Sequence, residues 1–299
     1  MSERYLVTGG TGFIGAALVR RLVAGGHSVR ILDDQSRGHP RRLGGVLDDV
    51  ELVSADVRDA GAVRRAARDR DSVIHLAAVN GTEFFYTKPE LVLDVALRGM
   101  LAVIDACRAN GIGNLVVASS SEVYQTPPTV PTPETAPISI PDIANPRYSY
   151  GGGKIATELI AINYGRTGFE RVTVFRPHNV YGPDMGWEHV LPQLTLRVAD
   201  LVRVTPTGPL DLPIQGDGTQ TRAFTHIDDF TEGLMTVIEA GRHLEIYHIG
   251  NPEERTIAEA AHLVAECFGR SAKLRHLPAP AGGTPRRCPD TSAAAPKPA

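Results

Sequence analysis

Cysteine is scarce in this chain of 299 residues: Cys107, Cys267 and Cys288 stand far apart, without metal-ligand spacing. Such usage excludes a disulfide-stapled scaffold and predicts a reduced, cytoplasmic protein with no structural disulfide. The ten histidines are dispersed and form no H-x-x-x-H cluster, so no metal site is expected. No apolar run reaches the length of a membrane span, and a first strand begins where a signal peptide would lie. Charge of one sign is also lacking. The net charge of −3 gives no electrostatic case for nucleic acid or an anionic membrane as partner. Internal repeats are absent.

Glycine, by contrast, is concentrated where it counts. The apolar run Tyr5-Leu6-Val7 reads as a buried strand and leads into Thr8-Gly9-Gly10-Thr11-Gly12-Phe13-Ile14-Gly15. Gly10, Gly12 and Gly15 fit G-x-G-x-x-G, and Gly9, Gly12 and Gly15 also fit G-x-x-G-x-x-G. One glycine permits a tight strand-to-helix turn, another lets the backbone approach a pyrophosphate, and the last lets helix and strand pack closely. The free amides and the helix dipole then hold the phosphates. A second strand, Val29 to Leu32, ends at Asp33, the spacing of an acid that binds a ribose. A carboxylate there argues for NAD over NADP, because it would repel a 2′-phosphate. Arg37, Arg41 and Arg42 follow nearby, either as cations that weaken this preference or as solvated loop charges. Asp56 and Val57 close a third strand where adenine would lie.

Strands alternate with helices along the chain, which predicts an α/β fold with a doubly wound, Rossmann-type parallel sheet covered on both faces. The expected division is a dinucleotide-binding domain over 1–177, joined by 224–250, and a smaller C-terminal α/β substrate lobe over 178–223 and 251–290. Residues 291–299, alanine and proline for the most part, read as a disordered end. The segment from Pro89 to Asn110 is a helix apolar nearly all round, closed by Gly111, and suggests a homodimer interface. The proline-rich loop Thr126 to Pro146 has the length of a lid or binding loop. Residues 184–218 are expected to be irregular apart from a helix over Leu191 to Ala199.

Chemistry concentrates at Tyr150 and Lys154, four apart on one helix face. A tyrosine is a poor base at its ordinary pKa of ~10, but a neighbouring ammonium favours the phenolate, and so does a cationic nicotinamide. The pair can take a proton from a sugar hydroxyl while hydride leaves the same carbon. The helix also carries Gly151, Gly152 and Gly153, poor helix formers whose presence suggests a large group, such as a cofactor, lying against that face. Ser119, Ser120 and Ser121 end the fifth strand, with Ser120 read as the reactive hydroxyl and its neighbours as capping residues. His75, His178, His226 and His248 read as structural. Trp187 stays open between sugar platform and packing residue.

These stretches, together with His75-Leu76-Ala77-Ala78, Ser119 to Tyr124, Asn179-Val180-Tyr181-Gly182-Pro183 and Arg286-Arg287-Cys288-Pro289-Asp290, resemble the extended short-chain dehydrogenase/reductase family, and its nucleotide-sugar epimerases, dehydratases and decarboxylases in particular. The resemblance covers about Tyr5 to Asp290. It implies NAD contacts at Gly9, Gly12, Phe13, Ile14, Gly15, Asp33, Asp56, Val57, Leu76, Ala77, Ala78, Tyr150 and Lys154. It also implies catalytic roles for Ser120, Tyr150 and Lys154, and substrate contacts at Asn179, Arg222 and Arg287. The implied reaction on a nucleotide-sugar substrate is transient oxidation at C4, then epimerisation, elimination or decarboxylation. Glu122, with Arg287, resembles the UDP-glucuronate decarboxylases, whereas plain epimerases carry a small residue there and a structural carboxylate is the alternative. Two departures stand out: Ala96 replaces a frequent asparagine, and the chain stops soon after Asp290. A net NAD(H) oxidoreductase on a small carbonyl, or a non-catalytic NAD-binding protein, are the readings of another class.

Overall fold

The computed structural model describes residues 2–278 and 284–292. The elements run β1 (Arg4–Thr8), α1 (Phe13–Ala24), β2 (Ser28–Asp33), β3 (Val50–Ser54), α2 (Ala60–Ala66), β4 (Ser72–His75), α3 (Thr82–Thr87), α4 (Pro89–Asn110), β5 (Asn114–Ala118), α5 (Ser149–Gly165) and β6 (Arg171–Pro177). They continue with β7 (Val180–Tyr181), α6 (Val190–Val204), β8 (Leu210–Gln215), β9 (Thr221–Ala223), β10 (Thr225–His226), α7 (Ile227–Ala240), β11 (Glu245–Ile249), β12 (Glu254–Thr256), α8 (Ile257–Cys267), β13 (Ala272–Leu277) and β14 (Arg286–Arg287). Seven strands form one sheet in the order β3-β2-β1-β4-β5-β6-β11. Every pairing in it is parallel.

Continuous apolar strands suit this sheet because helices cover both faces. Leu6, Leu115, Val117 and Val174 pack against α2, α4 and α5, while Tyr5, Val7, Val116 and Phe175 pack against α1 and α7. Side chains alternate across a strand, so one run serves two cores. Helix α4 keeps its expected bounds, with Pro89 at its start and Gly111 in the left-handed conformation at its end. Its apolar circumference is explained largely within the chain: Val92, Met100, Val103, Ile104 and Cys107 are buried against α2, α5 and the sheet.

A third core joins α6, α8 and β8 through Leu194, Val198, Leu212, Ile214 and Ala261. Here the expected irregular stretch contains a strand, because β8 pairs in parallel with β13, 62 residues on at Leu210↔Ala272. Helix α6 is also longer than expected at both ends. The three strands β12-β9-β14 form a further small sheet. Thr256 caps α8 in a reciprocal capping box with Glu259, as its position before an apolar run suggests. Residues 293–299, most of the expected tail, lie outside the described residues. No described helix is long and apolar enough to cross a membrane.

Candidate functional site

A cavity of about 440 Å³ opens over the carboxyl ends of β1, β2, β4, β5 and β6. In open parallel sheets ligands collect at this edge, where the strand order reverses about β1. Gly9 sits at φ +73°, and a Cβ there would lie 2.8 Å from the Ala77 amide nitrogen. A Cβ on Gly15 would run into the Gly9 carbonyl. Helix α1 therefore starts pressed onto the turn, with no side-chain cap and no acid in its first turn. Its first amides, which have no partner inside the helix, and its positive dipole end face the cavity beside Gly12, Phe13 and Ile14. A pyrophosphate fits that cradle. Gly15→Ala is expected to cost at least about 1–3 kcal/mol, as overpacking does, and to abolish dinucleotide binding. Thermal melts with and without NAD check both effects.

Asp33 is buried at the end of β2. Its two oxygens accept amides from Thr11 (2.9 Å) and Gln35 (2.8 Å), which ties the glycine turn to the next loop. Asp56 is bound by Arg58 at 2.6 Å, and Arg58 reaches on to Asp94 of α4 at 2.7 Å. Arg58 beside it holds the Asp56 carboxyl below the usual range. Val57 fills the space left by Gly99 on α4. Leu76, Ala77 and Ala78 line the cavity just past β4. His75 is buried with Nδ1 2.8 Å from the Thr8 hydroxyl, and burial drops its pKa to about 3, so it is a neutral structural ring.

The residues expected to carry the chemistry lie between β5 and α5. Ser120 caps the single turn over Ser121–Tyr124, its Oγ accepting the Glu122 amide at 3.2 Å. The capping expected of Ser119 thus falls to Ser120, while the Ser119 hydroxyl bonds Glu158. Tyr150 stacks on Phe85 with ring centroids 5.0 Å apart. Burial pushes its phenol up to about 12, against a hydrogen bond from Ser120. Lys154 lies with its ammonium 5.8 Å from the Tyr150 ring centroid and donates to the Ala118 carbonyl at 2.7 Å. Burial lowers Lys154 to about 8, with Glu158 pulling the other way. Desolvation therefore decides the direction of the phenol's shift in the cofactor-free protein.

The three glycines after Tyr150 need a correction. Their close neighbours are protein, not space for a cofactor. A Cβ on Gly151 would lie 2.5 Å from the Gln125 amide, and one on Gly153 3.0 Å from Ala96. Ala96 and Gly153 are complementary, small against small, where α4 crosses α5.

Glu122 accepts from Arg287 at 2.8 Å and has Arg147 at 3.9 Å, with Arg222 behind. Burial acts to raise its carboxyl, but these guanidiniums outweigh it and hold it below the usual range. Arg222 does not line the cavity. It neighbours Arg287 in the small sheet and donates to the Thr221 carbonyl at 2.7 Å. Burial, then Arg287, depresses its pKa to about 10. Asn179 lines the cavity at φ +40° and donates to the Ala223 carbonyl. Trp187 is 63% exposed and is not among the lining residues. His226 caps α7, and His248 is buried beside Tyr124 at 2.6 Å, both structural positions. His178 is buried with neither ring nitrogen bonded.

Sequence reasoning missed Arg147, Phe85, Glu188 and His189, all of which line the cavity. Arg147 stands one turn before Tyr150, a spacing that could have flagged it. The others come from segments without a periodic signal.

The NAD dependent epimerase/dehydratase family matches residues 5–250, and the chain belongs to that family. It is an NAD-dependent enzyme with an extended short-chain dehydrogenase/reductase fold, and the cradle described above fits its cofactor. The chain is similar to dTDP-4-dehydro-6-deoxy-D-allose reductase of Streptomyces bikiniensis, at 32% identity over 95% of this chain and 87% of that protein. It is 30% identical to UDP-N-acetyl-alpha-D-glucosaminuronate decarboxylase of Bacillus cytotoxicus, over 93% of this chain and 84% of that one. Among solved structures, the dTDP-glucose 4,6-dehydratase DesIV of Streptomyces venezuelae, with NAD bound, is 29% identical with a TM-score of 0.85, covering 97% of this chain and 89% of its own.

Proposed function

We propose that this enzyme oxidises a nucleotide sugar at C4 and then decarboxylates it, the substrate being a uronic acid. The observation that carries this reading is the ion pair at the cavity wall, where Arg287 meets Glu122 at 2.8 Å and Arg147 stands 3.9 Å from the same carboxylate. Guanidiniums at the cavity wall, with their planar fork of donors, suit a substrate that bears its own carboxylate. Bound NAD supplies the acceptor for the C4 hydride and later its return. Tyr150 takes the C4 hydroxyl proton, Ser120 orients the oxygen, and Lys154 holds positive charge near the phenol. A C4 ketone makes the C6 carboxylate a β-keto acid, which loses carbon dioxide readily. Arg287 and Arg147 hold that carboxylate, and Glu122 holds the two guanidiniums. Asn179, which lines the cavity, serves the diphosphate side.

Product mass after incubation with a panel of nucleotide sugars tests the reading, and loss of carbon dioxide from a uronic acid is expected. Loss of water, or unchanged mass with a new retention time, would replace it with a dehydratase or an epimerase. Stoichiometric NADH consumption would make it a net reductase. Arg147→Met is expected to lower kcat/KM for the uronic acid about tenfold or more, the worth of one charged hydrogen bond, with NAD affinity unchanged.

In the same reading the cofactor belongs to 1–177 with 224–250, and the sugar to 178–223 with 251–290. A homodimer through α4 and α5 is also proposed, since Leu93 and Leu101 on α4 and Leu159 on α5 remain exposed. Light scattering of Leu101→Glu, expected to be monomeric, tests it.

A further inference from the structure

Three arginines follow Asp33, and a guanidinium near the ribose acid is the usual means of accepting a 2′-phosphate. Arg37 and Arg42 line the same cavity as Asp33, whereas Arg41 does not. Arg42 is directed elsewhere, its Nη1 donating to the carbonyls of Arg37 (3.1 Å) and Thr11 (3.4 Å). Arg37 is therefore the cation that could recruit NADP, and it is held on three sides. Its Nη2 donates to Glu188 Oε1 at 2.9 Å, across 151 residues of chain. Its guanidinium carbon lies 4.8 Å over the Phe84 ring. Gly81 stands against the same group, so close that a Cβ would be 3.3 Å from Nη2.

We propose that Glu188, in the loop before α6, determines the preference for NAD over NADP by neutralising Arg37 and holding it against Phe84. Asp33 then meets a 2′-phosphate with the Arg37 guanidinium already engaged, and its repulsion is not offset from that side. Glu188 acts through Arg37 and is a positioning residue. The proposal is independent of which sugar the enzyme takes, since it concerns the dinucleotide alone.

The test is calorimetric titration of NAD and NADP into the cofactor-stripped enzyme and three variants. Glu188→Gln, which keeps the shape and removes the charge, is expected to tighten NADP at least fivefold and leave NAD within twofold. Arg37→Leu in the native background is expected to leave both cofactors within twofold. The double variant is expected to lose the gain, because the gain belongs to Arg37. An unchanged NADP to NAD ratio in Glu188→Gln overturns the proposal. A gain that survives in the double variant also overturns it, and so does loss of NADP binding in Arg37→Leu, which would show Arg37 already serving the cofactor. Both positions are partly exposed, and Glu188→Ser serves as the second charge-removing variant, with the same expected ratio.

Discussion

Tyr150→Phe is expected to lower kcat by roughly 10²–10⁴-fold, the range lost with a positioned acid or base, while NAD still binds with unchanged affinity. The cofactor cradle is built from α1, Asp33, Asp56 and the segment after β4, none of which needs the phenol oxygen. Phe keeps the ring that stacks on Phe85, so the melting temperature should stay within a few degrees. The same residue carries a pH signature. Burial holds its phenol up at about 12 in the cofactor-free protein, so the protonated form prevails at neutral pH. Raising pH favours the phenolate, and so does any positive charge brought near it. Ultraviolet titration should therefore find a lower tyrosine pKa with NAD+ bound than without, and the difference should vanish in Tyr150→Phe. Full turnover in that variant would remove Tyr150 from the chemistry.

Glu158→Ala should produce the largest loss of stability, about 3–5 kcal/mol, because it strands a buried cation. Arg176 donates to Glu158 through Nε at 2.8 Å and Nη2 at 2.7 Å, and both side chains are almost wholly buried. The Ser119 hydroxyl loses its acceptor in the same change. Arg176 also donates to the Tyr124 hydroxyl, and Tyr124 meets His248, whose Nδ1–H donates to the Asp290 carbonyl. The network thus links the strand end beside Ser120 to the segment that carries Arg287. Denaturant midpoints measure the loss, and a change below about 1 kcal/mol would show that the pair is solvated in solution. Kinetics on the folded fraction should show a raised KM as well, because Arg287 is less firmly placed.

Much of this was legible in the chain itself. The glycine turn, Asp33 and the Tyr150–Lys154 pair depend on spacing within one turn or one βα unit, where backbone sterics and helical periodicity act over a few residues. The seven strands of the main sheet could be read because helices cover both faces of its centre and most of the runs are apolar there. Strands β8, β12, β13 and β14 were harder, since they are short or interrupted, as by Pro213, and exist only where a distant partner supplies the hydrogen bonds. The glycines after Tyr150 show the same limit: their spacing signals close approach, but sequence does not say that Gln125 and Ala96 are what approaches.

The sequence by itself therefore determined the class of fold, the glycine turn with its acid at the next strand end, and the pairing of Tyr150 with Lys154 on one helix, all products of local geometry. Only the tertiary structure decided that Glu122 meets Arg287 across 165 residues, that Arg147 joins them, and that Arg37 is captured by Glu188. Those contacts join segments far apart in the chain, whose positions depend on how the elements between them pack. No periodicity in the chain encodes them, because a charge pair leaves no pattern until folding brings its members together.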